Sequence, residues 1–242
     1  MSRGFASHPV RRIEASGEPI DRTAWWARVP AIASVLDHGL DLRPGVTFFV
    51  GENGSGKSTL VEGIAAAYGL NPEGGSRGAQ HSTRITESPL GDALQLVRSP
   101  GGRARAYFLR AETMHGLYTY LEGLPKSPDT DLHDRSHGEG FLALLERKFG
   151  GAGFYLMDEP ESALSFTSTL SLLGRLHDLA RQGAQVIVAT HSPLLVALPG
   201  AHIVALDADG LHDVEDWRTL DLVAHWRAYL DNPDRYLRHL LA

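Results

Sequence analysis

The chain has 242 residues, 43% hydrophobic and 21% charged, which is enough to bury a sizeable core and too apolar for wholesale disorder. It contains no cysteine, so a disulfide framework, thiol catalysis and every cysteine-ligated zinc or iron–sulfur centre are excluded. A net charge of -6 leaves no overall electrostatic footprint for nucleic acid.

The N-terminal residues 1–19 carry basic side chains but no apolar stretch of the kind a secretory signal needs. No apolar run approaches the ~20 residues of a membrane-spanning helix, and the expectation is a soluble, cytoplasmic protein. The first 45 or so residues, together with 93–109, read as an antiparallel β portion. Residues 46–50, 104–109, 153–157, 185–190 and 203–206 are short runs rich in Val, Ile or Phe, each bounded by Gly, Pro or Asp, and they read as buried strands. Between them, 58–68, 140–149 and 167–182 have helical spacing. The segments 69–83 and 123–136 read as loops, and Asn232-Pro233 predicts the cap and first turn of a helix over 234–241. Strands alternating with helices imply an α/β fold with a mostly parallel sheet flanked by helices. No composition break marks a linker, so a single domain over 1–242 is expected, with a β portion at about 1–50 and a helical tail at about 217–242.

The strongest chemical signal is Gly51-Glu52-Asn53-Gly54-Ser55-Gly56-Lys57-Ser58, followed by Thr59. It fits G-x-x-x-x-G-K-[ST] in full, directly after the strand VTFFV and at the start of STLVEGIAAAYG. Glycines let successive backbone N–H groups turn inward around a phosphate chain, and the following helix adds its positive end. Lys57 would supply a point charge to the β- and γ-phosphates, and the Ser58 hydroxyl would reach Mg²⁺.

A second signal is FYLMDEP at 154–160, where an apolar strand ends in two acids. Asp158 is placed to hold Mg²⁺, and Glu159 to act as general base on an attacking water. A third is the strand 185–190 followed by His191-Ser192-Pro193, which brings His191 to the γ-phosphate.

Taken jointly, these residues resemble the ABC-type P-loop ATPases, and within them a compact group of bacterial AAA-family ATPases. The resemblance rests on GENGSGKST (51–59), Ser136-His137-Gly138-Glu139-Gly140, FYLMDEPESALS (154–165) and ATHSPLL (189–195), and spans about 28–199. It implies ATP as substrate, Mg²⁺ as cofactor and an ATP-dependent, head-to-tail homodimer with two nucleotides sandwiched. In that arrangement Ser136, His137, Gly138 and Glu139 form a signature segment that acts in trans, and residues 162–165 form a loop that crosses the interface. The family stacks adenine on an aromatic upstream of the phosphate loop, here Trp25 or Trp26.

Three departures stand out. His137 replaces the first glycine of the signature pair. Arg110-Ala111-Glu112 stands where a glutamine is expected, with Glu112 a candidate for the metal or water role. The 24 positions from Glu112 to Ser136 are short for the helical subdomain by which transporter ATPases grip membrane partners. The implied role is therefore a soluble switch or mechanoenzyme acting on DNA or a protein partner. The alternatives are an ATP-binding transporter subunit and a nucleotide-gated interaction module with negligible turnover. Asp131, His133, Asp134 and His137 read as a polar turn rather than a metal cluster, and Arg103, Arg105 and Arg110 as a solvated face. A triad of Ser192, His191 and Asp158 is set aside because no G-x-S-x-G elbow exists.

Overall fold

The computed structural model describes residues 8–76, 89–100, 105–123 and 137–241. The chain opens with β1 (Val10–Ala15), α1 (Pro30–His38), β2 (Leu40–Asp41) and β3 (Gly45–Val50). Then come α2 (Lys57–Tyr68), the short α3 (Leu90–Ala93), β4 (Leu94–Arg98), β5 (Arg105–Arg110) and α4 (Met114–Glu122). The second half contributes α5 (His137–Lys148), β6 (Gly153–Asp158), α6 (Phe166–Arg181) and β7 (Gln185–Thr190). It ends with β8 (His202–Asp207), β9 (Gly210–Val214), α7 (Asp221–Asp231) and α8 (Asp234–Leu240).

Six strands form the main sheet in the order β5-β6-β7-β3-β8-β9, parallel throughout except for the closing β8–β9 hairpin. A second, antiparallel sheet has the order β2-β1-β4. Strands β6 and β7 are buried at every position because both faces of the main sheet are covered. Alternation sorts their side chains. Tyr155, Met157, Val186 and Val188 enter the core under α5 and α6, while Phe154, Leu156, Ile187 and Ala189 enter the core under α1 and α2. Each of the Val, Leu, Ile, Met and Phe side chains among them contributes roughly 1.5–3 kcal/mol by leaving water.

The parallel register decides where chemistry can occur. Arg110 pairs with Asp158, Asp158 with Ala189, and Val50 with Thr190, so four strands end level with one another. Side chains just beyond these carboxyl ends converge on one edge, where open α/β sheets bind ligands.

Four sequence expectations are corrected. The first 45 residues include a helix, α1, with Pro30 at its first position and Ala31, Ile32, Val35 and Leu36 buried in one stripe. Its start has no side-chain cap, which removes the usual signal. Within 93–109 only β4 is antiparallel, pairing with β1, whereas β5 lies parallel to β6. The apolar pattern of the sequence does not mark α4, α7 or β9 as separate elements, although α7 falls in the expected C-terminal helical tail. The expected loop at 69–83 is described only as far as Ser76, and 124–136 of the second expected loop lies outside the described residues. The last helix begins at Asp234 with Pro233, not Asn232, at its cap position, one residue later than the sequence predicts, and Asn232 Oδ1 accepts from Arg235 N at 3.3 Å. Among the described residues, no helix is long and apolar enough to cross a membrane.

Candidate functional site

The loop 51–56 carries the chain from β3 to α2, and two glycines make its path possible. Gly56 sits at φ 97, and a Cβ there would lie 2.6 Å from Val29 Cγ1. A Cβ on Gly51 would meet the Leu206 carbonyl oxygen at 2.2 Å, a collision with backbone that cannot yield. The loop is thereby seated against β8 and Val29, the residue before α1. Lys57 is 4% exposed, and its Nζ donates to Gly51 O at 2.8 Å and Glu52 O at 3.0 Å. Burial pushes its ammonium below the ordinary lysine value, against the pull of Glu159 and Asp158. Glu52, Asn53 and Gly54 are exposed at the rim, while Ser58 and Thr59 are half-buried. Ser55 Oγ is buried and makes no hydrogen bond, a free donor inside a cradle of backbone amides. That donor set fits a polyphosphate.

Opposite the cradle stand the carboxylates. Ser58 Oγ donates to Asp158 Oδ1 at 3.0 Å. Asp158 is 4% exposed, and burial raises its carboxyl to about 6 despite Arg110 and the Ser58 hydroxyl, which pull it down. Two hard oxygen donors at this spacing suit Mg²⁺, which takes few protein ligands and completes its shell with phosphate and water. Arg110 Nε lies 3.4 Å from Asp158 Oδ2, and the same guanidinium reaches Glu62 Oε1 at 2.8 Å and Glu112 Oε2 at 3.1 Å.

Glu159 has φ 48, the one non-glycine residue in the left-handed region among those described. Several bonds hold it there: its N–H donates to Ala189 O at 2.9 Å, and its carbonyl accepts from Ser162 N at 3.0 Å and Ser162 Oγ at 2.8 Å. Strain so over-determined is the kind that persists at functional sites. Glu159 Oε1 is 2.8 Å from His191 Nε2. A cleft of about 380 Å³ opens here, lined by Ser58, Glu112, Asp158, Glu159 and Ser162.

The structure thus gathers Lys57, Ser58, Asp158, Glu159 and His191 on one edge, with Glu112 at the border of the cleft. Two readings need correction. Trp26 is 5% exposed and packed in the core, so no base can stack on it, whereas Trp25 is 64% exposed. Arg110 is no part of a solvated face: its side chain is 19% exposed and sits among three carboxylates. Ser192 Oγ accepts from Leu195 N, a local turn bond at 3.4 Å, and takes no part in a triad. Ser136, Asp131, His133, Asp134 and Arg103 lie outside the described residues. His137 begins α5, Glu139 is exposed, and a Cβ on Gly138 would lie 3.4 Å from Ala163 O. The start of α5 therefore rests on the turn at 160–163.

Sequence reasoning missed Arg110 and Glu161. Glu161 Oε1 accepts from Thr190 Oγ1 at 2.6 Å and His191 N at 2.6 Å, and burial raises its carboxyl above the ordinary value. The only prior signal for either was a charged residue at or just past the end of an apolar strand.

Comparison with known proteins gives concordant matches. Residues 121–197 match a family described as "AAA domain, putative AbiEii toxin, Type IV TA system", and residues 31–102 match one described as "AAA domain". An uncharacterized ABC transporter ATP-binding protein of Haemophilus influenzae is 28% identical over 216 residues, covering 79% of this chain and 81% of that one. An ABC transporter ATP-binding protein of Streptomyces coelicolor is 32% identical over 228 residues, covering 83% of this chain and 39% of that one. The SMC head domain from Thermotoga maritima aligns with a TM-score of 0.43 at 16% identity, covering 74% of this chain and 93% of that one. The chain spans about a third of the ribose/galactose/methyl galactoside import relatives from Pseudomonas that it also matches.

Proposed function

We propose that the chain is a P-loop ATPase of the ABC/AAA type that hydrolyses ATP with Mg²⁺ as a nucleotide-sandwich homodimer, each 1–242 chain forming one catalytic domain. The observation that carries this reading is the meeting of Ser58 and Asp158 at 3.0 Å beside Lys57, with Glu159 and His191 2.8 Å apart on the adjoining strand ends.

In this reading the 51–59 loop binds the triphosphate through backbone N–H groups and the Ser55 hydroxyl. Lys57 leaves the Gly51 and Glu52 carbonyls to meet the β- and γ-phosphates. Ser58 and Asp158 would hold Mg²⁺, with Glu112 lining the same cleft. When bound there, the ion would supply positive charge against the negative charge that develops during transfer. Glu159 takes a proton from the attacking water, and His191, hydrogen-bonded to Glu159, orients it and contacts the γ-phosphate. Little covalent work is required of the protein, so positioning and charge stabilisation supply the rate. Trp25 is the exposed aromatic available to adenine.

The second nucleotide contact comes from the partner copy, through Ser136, His137, Gly138 and Glu139. Support for this comes from α5, which begins at His137 with Gly138 against the Ala163 carbonyl of the 160–163 turn. ATP then closes the dimer because each site needs donors from two chains, and hydrolysis opens it. Such a cycle suits a cytoplasmic switch or mechanoenzyme working on DNA or a protein partner. A second reading, an ATP-binding transporter subunit, is favoured by the names of the relatives and opposed by the short interval between Glu112 and Ser136. Phosphate release from the purified chain, with and without DNA, tests the first reading. Co-purification with a membrane-spanning protein supports the second.

A further inference from the structure

The histidine at the end of β7 has no place in the sheet. The β3–β7 ladder ends at the Val50–Thr190 pair and the β6–β7 ladder at Asp158–Ala189. His191 is one residue further, so no strand neighbour accepts its N–H. The acceptor comes instead from Glu161, two residues beyond Glu159. Its Oε1 takes both the His191 N–H and the Thr190 hydroxyl at 2.6 Å, and Thr190 Oγ1 in turn accepts from Ser192 N at 2.9 Å. Bonds of this kind, to a carboxylate, are about twice as strong as neutral ones.

The arrangement is costly for a mere turn. Glu161 Oε2 is buried and accepts no hydrogen bond among the described residues. Desolvating a carboxylate with one oxygen unpaired is unfavourable, and a small neutral side chain could cap a single amide without that cost. What the longer acid adds is a second attachment between the Glu159 turn and the His191 loop. With the Glu159 N–H to Ala189 O bond, it spans both sides of the Glu159–His191 contact.

We infer that Glu161 is a positioning residue for hydrolysis, clamping the Thr190–His191 backbone to the acid-bearing turn so that base and histidine move as one unit. This rests on the roles given above to Glu159 and His191.

The test compares wild type, E161A and E161Q as full chains in Mg²⁺-ATP turnover, alongside the backbone amide signal of His191 in nucleotide-free, ¹⁵N-labelled protein. In E161A, kcat falls roughly 10- to 100-fold with KM within about twofold, because the cradle is untouched and only alignment is lost. E161Q keeps the Oε1 acceptor and recovers most of kcat. The His191 amide moves upfield in E161A and stays near its wild-type position in E161Q. If E161A does not fold, E161D, one methylene short of both donors, replaces it with the same expectations. Unchanged kcat in E161A, a loss carried by KM, or an unmoved His191 amide each overturns the inference. A wild-type chain without turnover overturns the ATPase reading instead, and the His191 amide then decides by itself whether the clamp exists.

Discussion

The phosphate cradle and the carboxylate cluster facing it are held by different means. The cradle is shaped by backbone: Gly51 fits against the Leu206 carbonyl, Gly56 takes a left-handed φ, and Lys57 rests on two loop carbonyls. The cluster is shaped by side chains from four elements, with Arg110 drawing together Glu62, Glu112 and Asp158, and Glu161 tying Thr190 and His191 to Glu159's turn. The division teaches where function resides. In the proposed function a backbone site binds with little dependence on any one side chain except its lysine, whereas a side-chain site for catalysis should fail one residue at a time.

Substitutions can break that contrast, starting with the largest effect. Glu159→Gln should lower turnover by roughly 10²- to 10⁴-fold, the range for a general base, while ATP binding by calorimetry persists and light scattering detects a trapped dimer. Unchanged hydrolysis would remove Glu159 from the base role.

Next comes a pH effect on stability. Asp158 has its carboxyl raised to about 6 from 3.8, so the folded state holds a proton that the unfolded chain releases. The resulting stability is fully present below 3.8 and lost as pH rises through 6, a change of about 3 kcal/mol. Urea denaturation should therefore find Asp158→Asn more stable than wild type at pH 8 by up to that amount, with little gap at pH 4. Equal curves at both pH values would show that the buried charge costs nothing.

Gly51→Ala probes the cradle. Its new methyl must displace the Leu206 carbonyl, at a cost of about 1–3 kcal/mol, and ATP binding should be lost with Lys57 and Ser58 still present. Retained affinity would mean that backbone shape matters less than the lysine. The smallest effect is expected for Trp25→Ala, which should weaken ATP several-fold, about 1 kcal/mol, without changing the melting temperature. Trp26→Ala should instead cost about 3–5 kcal/mol of stability, as for any large core aromatic.

Legibility in the sequence follows the same division. Residues 51–59 were readable because a backbone device needs its glycines and lysine at fixed spacing along one segment. The strands β6 and β7 were readable because burial on both faces demands unbroken apolar runs, and Asp158, Glu159 and His191 followed from their ends. Arg110 and Glu161 were not, since the partners that give each its place, Glu62 and Asp158 for the one and Thr190 and His191 for the other, are distant in sequence. Trp25 and Trp26 looked equivalent until packing buried one and left the other exposed.

Local chemistry alone determined that this chain has a strand, a phosphate-shaped loop and a helix in succession, because those elements depend on φ, ψ and hydrophobic period within a few residues. Which charges surround Asp158, which tryptophan faces solvent and what holds His191 were decided only when parallel pairing brought the ends of β5, β6, β7 and β3 level. Electrostatic partnership depends on distance in space, and register across strands is not written in any one segment.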